Sequence, residues 1–255
     1  MLVGAFVYVG IFLRSLICLR GYQCGMLRKY VWFYSYIFAV LLADAVVYFI
    51  LSVRPALYAD AYWPAQFITL AFGCGLIVEI FKHALAFYPG AERFAKAACL
   101  ITFAMIFVFA FGYGFLAPQG RSPLLEIDVS IERDLRACQI LFFAAILAVI
   151  SRYGISVGRN LRGLMYGYGL YLGFSIVTLA VRFYVGRGFN EVWRVAQPLS
   201  LDASLILWLR GFWRYDPAPA PSVQSRLEED YQALAAMTRT RIAALRSYIG
   251  RSTEH

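Results

Sequence analysis

The sequence has few charged residues for its length. Asp, Glu, Lys and Arg together make up 15% of the 255 residues, against about 25% in an ordinary soluble domain. Hydrophobic residues make up 61% of the chain, and the mean hydropathy is +0.64. This composition excludes a large soluble catalytic domain and indicates a polytopic membrane protein in contact with the lipid bilayer.

Lysine, histidine and paired cysteines are scarce, which excludes several kinds of site. The lysines are Lys29, Lys82 and Lys96, and none lies in the last apolar run, where a retinal Schiff base would need one. His83 and His255 are the two histidines, and the five cysteines show no metal-ligand spacing. Walker, GxSxG and dinucleotide motifs are absent. The sequence therefore predicts no metal, no cofactor, no catalytic residue and no enzyme activity.

Seven apolar runs are long enough to cross a bilayer, and each is bounded by Arg, Lys, Gly or Pro. They cover residues 2–19, 30–53, 64–87, 94–116, 135–153, 164–183 and 195–213. A helix rises ~1.5 Å per residue, so about 20 residues cross a ~30 Å hydrocarbon core. The sequence predicts an all-α fold, with a seven-helix transmembrane domain over residues 1–216.

Lysine and arginine are distributed unevenly between alternate connections of these runs. One set of connections holds 16 of them, including seven arginines from Arg210 onward, and the other set holds 7. Cytoplasmic segments retain the excess of basic residues, so the amino terminus is predicted outside and the carboxyl terminus in the cytoplasm. The basic residues are scattered at run ends and in the tail, and this pattern does not predict nucleic-acid binding.

The third run contains a cluster of ionisable residues inside apolar sequence. Glu79, Lys82 and His83 are spaced by three and four, which places them on one helical face. We expect the Glu79 carboxylate to meet the ammonium or the imidazole within the helix. Tyr62 and Trp63 lie where an aromatic belt would hold the other end of this span.

Two further acids lie inside apolar runs, Asp44 in the second and Asp202 in the seventh. Acids at such positions usually face the interior of a helix bundle. Two interpretations stay open. The acids could be protonated or hydrogen-bonded and hold helices together, or they could line a polar route with Glu79 and Lys82.

The sixth run is rich in glycine, which allows a neighbouring backbone to approach closely. The glycines form two pairs at a spacing of four: Gly163, Gly167, Gly169 and Gly173. This pattern predicts a tight helix contact, either inside the bundle or between subunits.

The tail after Asp216 is a separate part of the chain. Residues 217–221 alternate proline and alanine and form a stiff linker. Residues 222–255 are predicted to form a cytoplasmic amphipathic helix, because acids precede arginines as the helix dipole favours and apolar residues recur at steps of three and four. This apolar stripe consists of Leu227, Tyr231, Leu234, Ile242, Leu245 and Ile249. Its cover could be the bundle itself, a second copy, a partner protein or anionic lipid.

Several short motifs resemble a family of bacterial seven-helix integral membrane proteins of uncharacterised function. They are Tyr62-Trp63, Glu79-Ile80-Phe81 with Tyr88-Pro89 and Arg93, Glu132-Arg133 leading to Gln139, Gly167 with Gly169 and Gly173, and Leu207-Trp208-Leu209. The resemblance covers most of residues 30–213 and implies a multi-pass fold in the bacterial cytoplasmic membrane. Gln66 stands where this family commonly has an acid, so the resemblance does not extend to a proton route through the third span.

These features predict a non-catalytic membrane protein that acts as a sensor-type transducer, or as an accessory subunit of a membrane complex, through its carboxyl-terminal helix. The alternative is a transporter or channel using Asp44, Glu79, Lys82 and Asp202, and a lipid-directed enzyme ranks third. A transporter should bring those four residues to one water-accessible cavity, whereas a scaffold should pair and seal them.

Overall fold

The computed structural model describes residues 2–116, 123–185, 190–216 and 226–252. Of these residues, side chains are described for all except 2–5, 59–60, 63, 109–134, 179, 182–191, 193–194, 226–228 and 243–252. The described residues form eight α-helices and one 3₁₀ turn, with no strand. They are α1 (Leu2–Gln23), α2 (Val31–Val53), η1 (Pro55–Leu57), α3 (Tyr58–Ala84), α4 (Pro89–Leu116), α5 (Pro123–Tyr153), α6 (Arg159–Val185), α7 (Asn190–Gly211) and α8 (Arg226–Ser252). The predicted all-α class is confirmed.

Three helical segments are long and apolar enough to cross a membrane: Val31–Val53, Pro64–Ala84 and Leu135–Tyr153. They coincide with the second, third and fifth predicted runs, and they indicate association with a membrane. The other four predicted runs lie within α1, α4, α6 and α7, which do not reach the same length and apolarity over their described residues.

Two helices end at glycines in the left-handed conformation. Gly25 has φ +65° and Gly154 has φ +59°, values that a residue with a Cβ adopts at a cost. The amide of Met26 donates to the Gly21 carbonyl (2.9 Å), and that of Ile155 donates to the Ile150 carbonyl (3.0 Å). These are the six-to-one bonds of a Schellman motif, so the two glycines terminate α1 and α5.

Five helices begin five to twelve residues before their predicted runs, and α3 and α5 depart the most. Helix α3 begins at Tyr58, six residues before the predicted start at Pro64, which lies inside the helix. Helix α5 begins at Pro123, within the predicted connection from Ala117 to Asp134. Both errors arise because an apolar run marks where a helix enters lipid, whereas Ala in the first turns of α3, and Leu, Glu and Arg in those of α5, continue a helix beyond it.

The helices pack into one bundle around aromatic side chains. Helix α7 packs against α6 and α1, and α3 contacts α2, α4, α5 and α6. Phe33 of α2 stacks on Phe212 with ring centroids 4.5 Å apart and meets the Trp208 ring edge to face at 5.3 Å. Because Phe33, Trp208 and Phe212 are fully buried, they fix the start of α2 against the end of α7.

Helix α8 lies beside α4, and its first turns approach the end of α5. The Tyr153 hydroxyl donates a hydrogen bond to Asp230 Oδ2 (3.1 Å). The predicted linker, residues 217–221, lies outside the described residues, as do 222–225 and 253–255.

Candidate functional site

Glu79 caps the amino terminus of another helix. Its carboxylate is 4% exposed and accepts hydrogen bonds from the backbone amides of Trp32 (3.1 Å) and Phe33 (2.8 Å). The first amides of a helix have no partner within it, and the helix dipole makes this end attract negative charge. Tyr30, the residue before α2, offers no side-chain cap of its own. Glu79 of α3 therefore supplies the cap that the sequence of α2 lacks.

The expected pairing of Glu79 with Lys82 or His83 is replaced by contacts to the α1–α2 connection. His83 Nε2 lies 3.0 Å from the Lys29 carbonyl oxygen, and its ring centroid lies 4.5 Å from that of Tyr30. Lys82 is exposed. The amides of Trp32 and Phe33 converge on the Glu79 carboxylate. They therefore take the place of a side chain three or four residues further along α3.

The segment after α7 is held against the same end of the bundle. We call the contacts that Arg20, Lys29 and Asn160 make with residues 211–216 the junction. The Arg20 guanidinium lies 4.2 Å from the centre of the Trp213 ring, and Lys29 Nζ lies 3.3 Å from the centre of the Tyr215 ring. A cation over an aromatic face is attracted by the ring quadrupole. The junction therefore joins the chain leading towards α8 to both ends of the α1–α2 connection.

Asn160, at the start of α6, completes the junction. Its amide nitrogen donates to the carbonyls of Gly211 (2.8 Å) and Arg214 (2.7 Å), and its oxygen accepts from the Asp216 amide (2.6 Å). Asn160 is fully buried, and it satisfies carbonyls that the end of a helix leaves open. One side chain thus fixes the last turn of α7 and the residues just before the linker.

Asp44 and Asp202 meet around an arginine, Arg14, which lies inside the first apolar run. Arg14 of α1 forms an ion pair with Asp44 of α2. Gly10, one turn earlier, leaves space for Asp202 of α7: a Cβ at Gly10 would lie 3.0 Å from Asp202 Oδ1 and 3.8 Å from Arg14 Nη2. We call Arg14, Asp44 and Asp202 the charged triad. Arg14 pairs with Asp44, and Asp202 faces the same small space as the guanidinium from a third helix.

A second polar group occupies the centre of the bundle. Arg136 of α5 is buried, and its Nη1 donates to the Tyr171 hydroxyl (3.3 Å) and lies 3.5 Å from Ser175 Oγ. Arg136 lies at the start of the candidate span Leu135–Tyr153, among the basic residues counted in the set that holds 7. A buried charge is tolerated when it is paired or hydrogen-bonded, and the contacts with α6 hydrogen-bond the Arg136 guanidinium.

Buried polar side chains also join α5 and α6 to α3. Gln139 Nε2 donates to the Leu70 carbonyl (3.3 Å), and the Tyr168 hydroxyl donates to the Gly73 carbonyl (3.1 Å). A Cβ at Gly73 would lie 3.0 Å from Gln139 Nε2 and 3.2 Å from the Tyr168 hydroxyl. The absence of a side chain at Gly73 therefore allows both contacts, which lock three helices together.

Three of the four predicted glycines lie in contacts inside the bundle. A Cβ at Gly163 would lie 2.6 Å from the Gly211 Cα, and Gly167 lies under the Trp208 indole, whose Nε1 donates to the Leu164 carbonyl (3.1 Å). Gly169 faces Phe143 of α5, and Gly173 has open space around it. Of the two uses left open, internal packing accounts for Gly163, Gly167 and Gly169.

An open apolar groove of about 950 Å³ lies between α1, α2 and α3. Its lining includes Tyr34, Phe38, Leu42, Ile68 and Phe72. Asp44, Glu79, Lys82 and Asp202 are not part of it. The groove therefore has the chemistry of a surface that meets hydrocarbon, and its polar lining is limited to Tyr34, Ser35 and Cys18.

Two of the three described side chains of the apolar stripe of α8, Leu234 and Ile242, are uncovered. Leu234 is 64% exposed and Ile242 46%, and the neighbouring Met237 is 60% exposed. Tyr231 is partly buried. The side chains of Leu227, Leu245 and Ile249 lie outside the described set.

The sequence interpretation missed Arg14 and Asn160. Arg14 is the one charged residue within the run 2–19, and a charge inside an apolar run is a signal in itself. Asn160 carried no signal, because a helix-starting asparagine is common and its three partners lie more than fifty residues away.

No three histidine, cysteine or acidic side chains come together as a metal-binding group among the described residues. No protein-family model, curated protein or solved structure matches this chain.

Proposed function

We propose that this chain is a non-catalytic, multi-pass protein of the bacterial cytoplasmic membrane that binds a protein partner through α8, as a sensor-type transducer or as an accessory subunit of a membrane complex. The observation that carries the proposal is the contrast between α8 and the bundle. The polar groups of the bundle are largely satisfied inside it, whereas α8 presents Leu234, Met237 and Ile242 uncovered.

The proposed arrangement has α1 to α7 as seven spans, with the amino terminus outside and α8 in the cytoplasm. Each of the seven predicted runs coincides largely with one of these helices, and the excess of Lys and Arg in one set of connections gives the orientation. This orientation puts the junction, with Arg20 and Lys29, on the cytoplasmic side together with α8.

The junction supports a transducing role because it couples the bundle to the linker. Arg20, Lys29 and Asn160 hold the segment from Gly211 to Asp216. Any change in the spacing of α1, α6 and α7 would therefore move the residues from which the linker departs.

A transport path through Asp44, Glu79, Lys82 and Asp202 is the weaker candidate. Asp44 and the Glu79 contact at Phe33 are eleven residues apart on α2, which is about 16 Å along a helix. Lys82 is exposed and forms no ion pair with Asp44, Glu79 or Asp202 among the described residues. The favourable observation for transport is limited to the charged triad.

Crosslinking in native membranes tests the proposal. The full-length chain is compared with a chain that lacks residues 222–255. The crosslinker is membrane-permeable and does not depend on amines. We expect discrete adducts with the full-length chain that disappear on truncation, while both chains reach the membrane in equal amounts. Identical adduct patterns from the two chains would contradict a partner-binding role for α8.

A further inference from the structure

The charged triad contains one positive and two negative groups at its formal charges. Arg14 is 5% exposed and Asp202 is 6% exposed, whereas the Asp44 side chain is 48% exposed. Arg14 is already engaged in the ion pair with Asp44. A second carboxylate in this position would leave one negative charge without a balancing partner.

Asp202 is the member of the triad that lacks a full set of contacts. Its Oδ1 faces the small space beside Gly10 that Arg14 also faces. Its Oδ2 is buried and has no hydrogen-bond partner among the described residues. An ionised carboxylate in that state costs far more than a neutral carboxylic acid.

The helices around Asp202 offer few other charges. Helix α1 contributes Arg14, whose charge acts on Asp202, and α2 contributes Asp44 through its ion pair with Arg14. Helix α6 has no charged residue between Arg162 and Arg182, and of its tyrosines in that stretch, Tyr168 and Tyr171 contact the Gly73 carbonyl and Arg136, while Tyr166 is exposed.

We propose that Asp202 is a proton-binding site: it carries a proton at neutral pH, and Arg14 changes partner from Asp44 to Asp202 when that proton leaves. The proton leaves Asp202 as H⁺, and the carboxylate that remains competes with the half-exposed Asp44 for the one guanidinium. Protonation therefore sets how α1 is tied to α2 and to α7. This site is separate from α8 and is tested without any partner.

A proton fits the site better than a metal cation. A sodium or calcium ion needs several oxygen ligands, and among the described residues no group of three acidic, histidine or cysteine side chains surrounds this site. The Arg14 guanidinium, facing the same space as Asp202 Oδ1, would also repel a bound cation.

Infrared difference spectroscopy of the full-length protein in lipid nanodiscs tests the site. A protonated carboxylic acid has a carbonyl band that shifts in D₂O and disappears on ionisation. We expect this band at neutral pH in the wild type and in Glu79→Gln, which controls for the other buried acid, and we expect its loss in Asp202→Asn. A band that persists unchanged in Asp202→Asn, or no band in the wild type, would overturn the proposal.

A second variant decides the matter if Asp202→Asn does not fold. Asp44→Asn frees Arg14 to pair with Asp202, so the band should disappear at a pH lower by about one to three units. An unchanged titration would overturn the proposed exchange of partners. The same titration in sodium chloride and in choline chloride distinguishes the ligand, because loss of the band with sodium alone would assign the site to a metal cation and contradict proton binding.

Discussion

At the scale of single residues, the structure is governed by polar side chains that complete backbone groups of another helix. Glu79 supplies acceptors to α2, and Asn160 supplies both donors and an acceptor to the end of α7. A buried backbone group without a partner costs about 1–3 kcal/mol. Such residues therefore act far from their own position in the sequence.

Glu79→Ala tests this capping role. We expect the free energy of unfolding to fall by about 1.5–3 kcal/mol, because two amides at the start of α2 lose a charged acceptor. Glu79→Gln keeps one carbonyl oxygen and should lose less. Thermal unfolding in mild detergent gives the comparison.

Lys82→Ala is the matched control for that experiment. Lys82 is exposed, and the carboxylate is held by amides, so its removal should leave the melting temperature nearly unchanged. If Lys82→Ala were as destabilising as Glu79→Ala, the carboxylate would be an ion-pair partner and the capping explanation would be wrong.

The sequence could identify Glu79 as a buried functional residue but could not identify its partner. Spacings of three and four reveal neighbours on the same helix, whereas the amides of Trp32 and Phe33 are brought there by the packing of α2 on α3. Arg14 was missed for a related reason. Its importance depends on Asp44 and Asp202, which two other helices supply.

At the scale of helices, close approach between α6 and α7 depends on glycine. The Gly163 and Gly211 backbones meet directly, so neither side can yield as a flexible side chain would. The spacing of the glycines in the sequence predicted a tight contact. It could not predict which helix would be the partner, because that follows from the order in which seven helices pack.

Gly163→Ala should destabilise the bundle by about 1–3 kcal/mol, the usual effect of overpacking. Gly173→Ala is the control, because a Cβ there would meet nothing within 4 Å. We expect no loss of thermal stability for Gly173→Ala. Equal melting temperatures for the two variants would show that α6 and α7 are not in backbone contact at Gly163.

Helix number was more predictable than helix ends. Each of the seven apolar runs falls largely within one helix, since an apolar run of membrane length rarely forms any other structure. Hydropathy could not locate the start of α3 before Pro64 or the extension of α5 to Pro123. Those turns lie outside the continuous apolar runs, and their helical state depends on local propensity and on neighbours.

At the scale of the whole molecule, the bundle and α8 are two parts with different surfaces. The junction fixes the last residues of the bundle, and the described contacts of α8 are with α4 and Tyr153. Deleting residues 222–255 should therefore leave the melting temperature of the bundle within a few degrees of the full-length value, as measured in the same detergent. A chain that aggregates or is degraded after this deletion would show that α8 is needed for folding.

The proposed orientation is open to a direct test. A reporter that is active only in the cytoplasm, fused after His255, should be active, and the same reporter fused after Arg54 should be silent. The expectation follows from the excess of Lys and Arg in the set of connections to which the tail with α8 belongs. The reverse pattern would place α8 outside and contradict the orientation.

Site-specific photocrosslinking on α8 tests the central claim most directly. A photoreactive residue is placed at Leu234, on the uncovered stripe, and in a matched chain at Gln232, which is exposed about 200° away around the helix. In native membranes we predict a discrete adduct from Leu234, with the mass of this chain and one partner, and no such adduct from Gln232. Equal yields from the two positions, or none from either, would contradict a partner-binding role for the apolar stripe of α8.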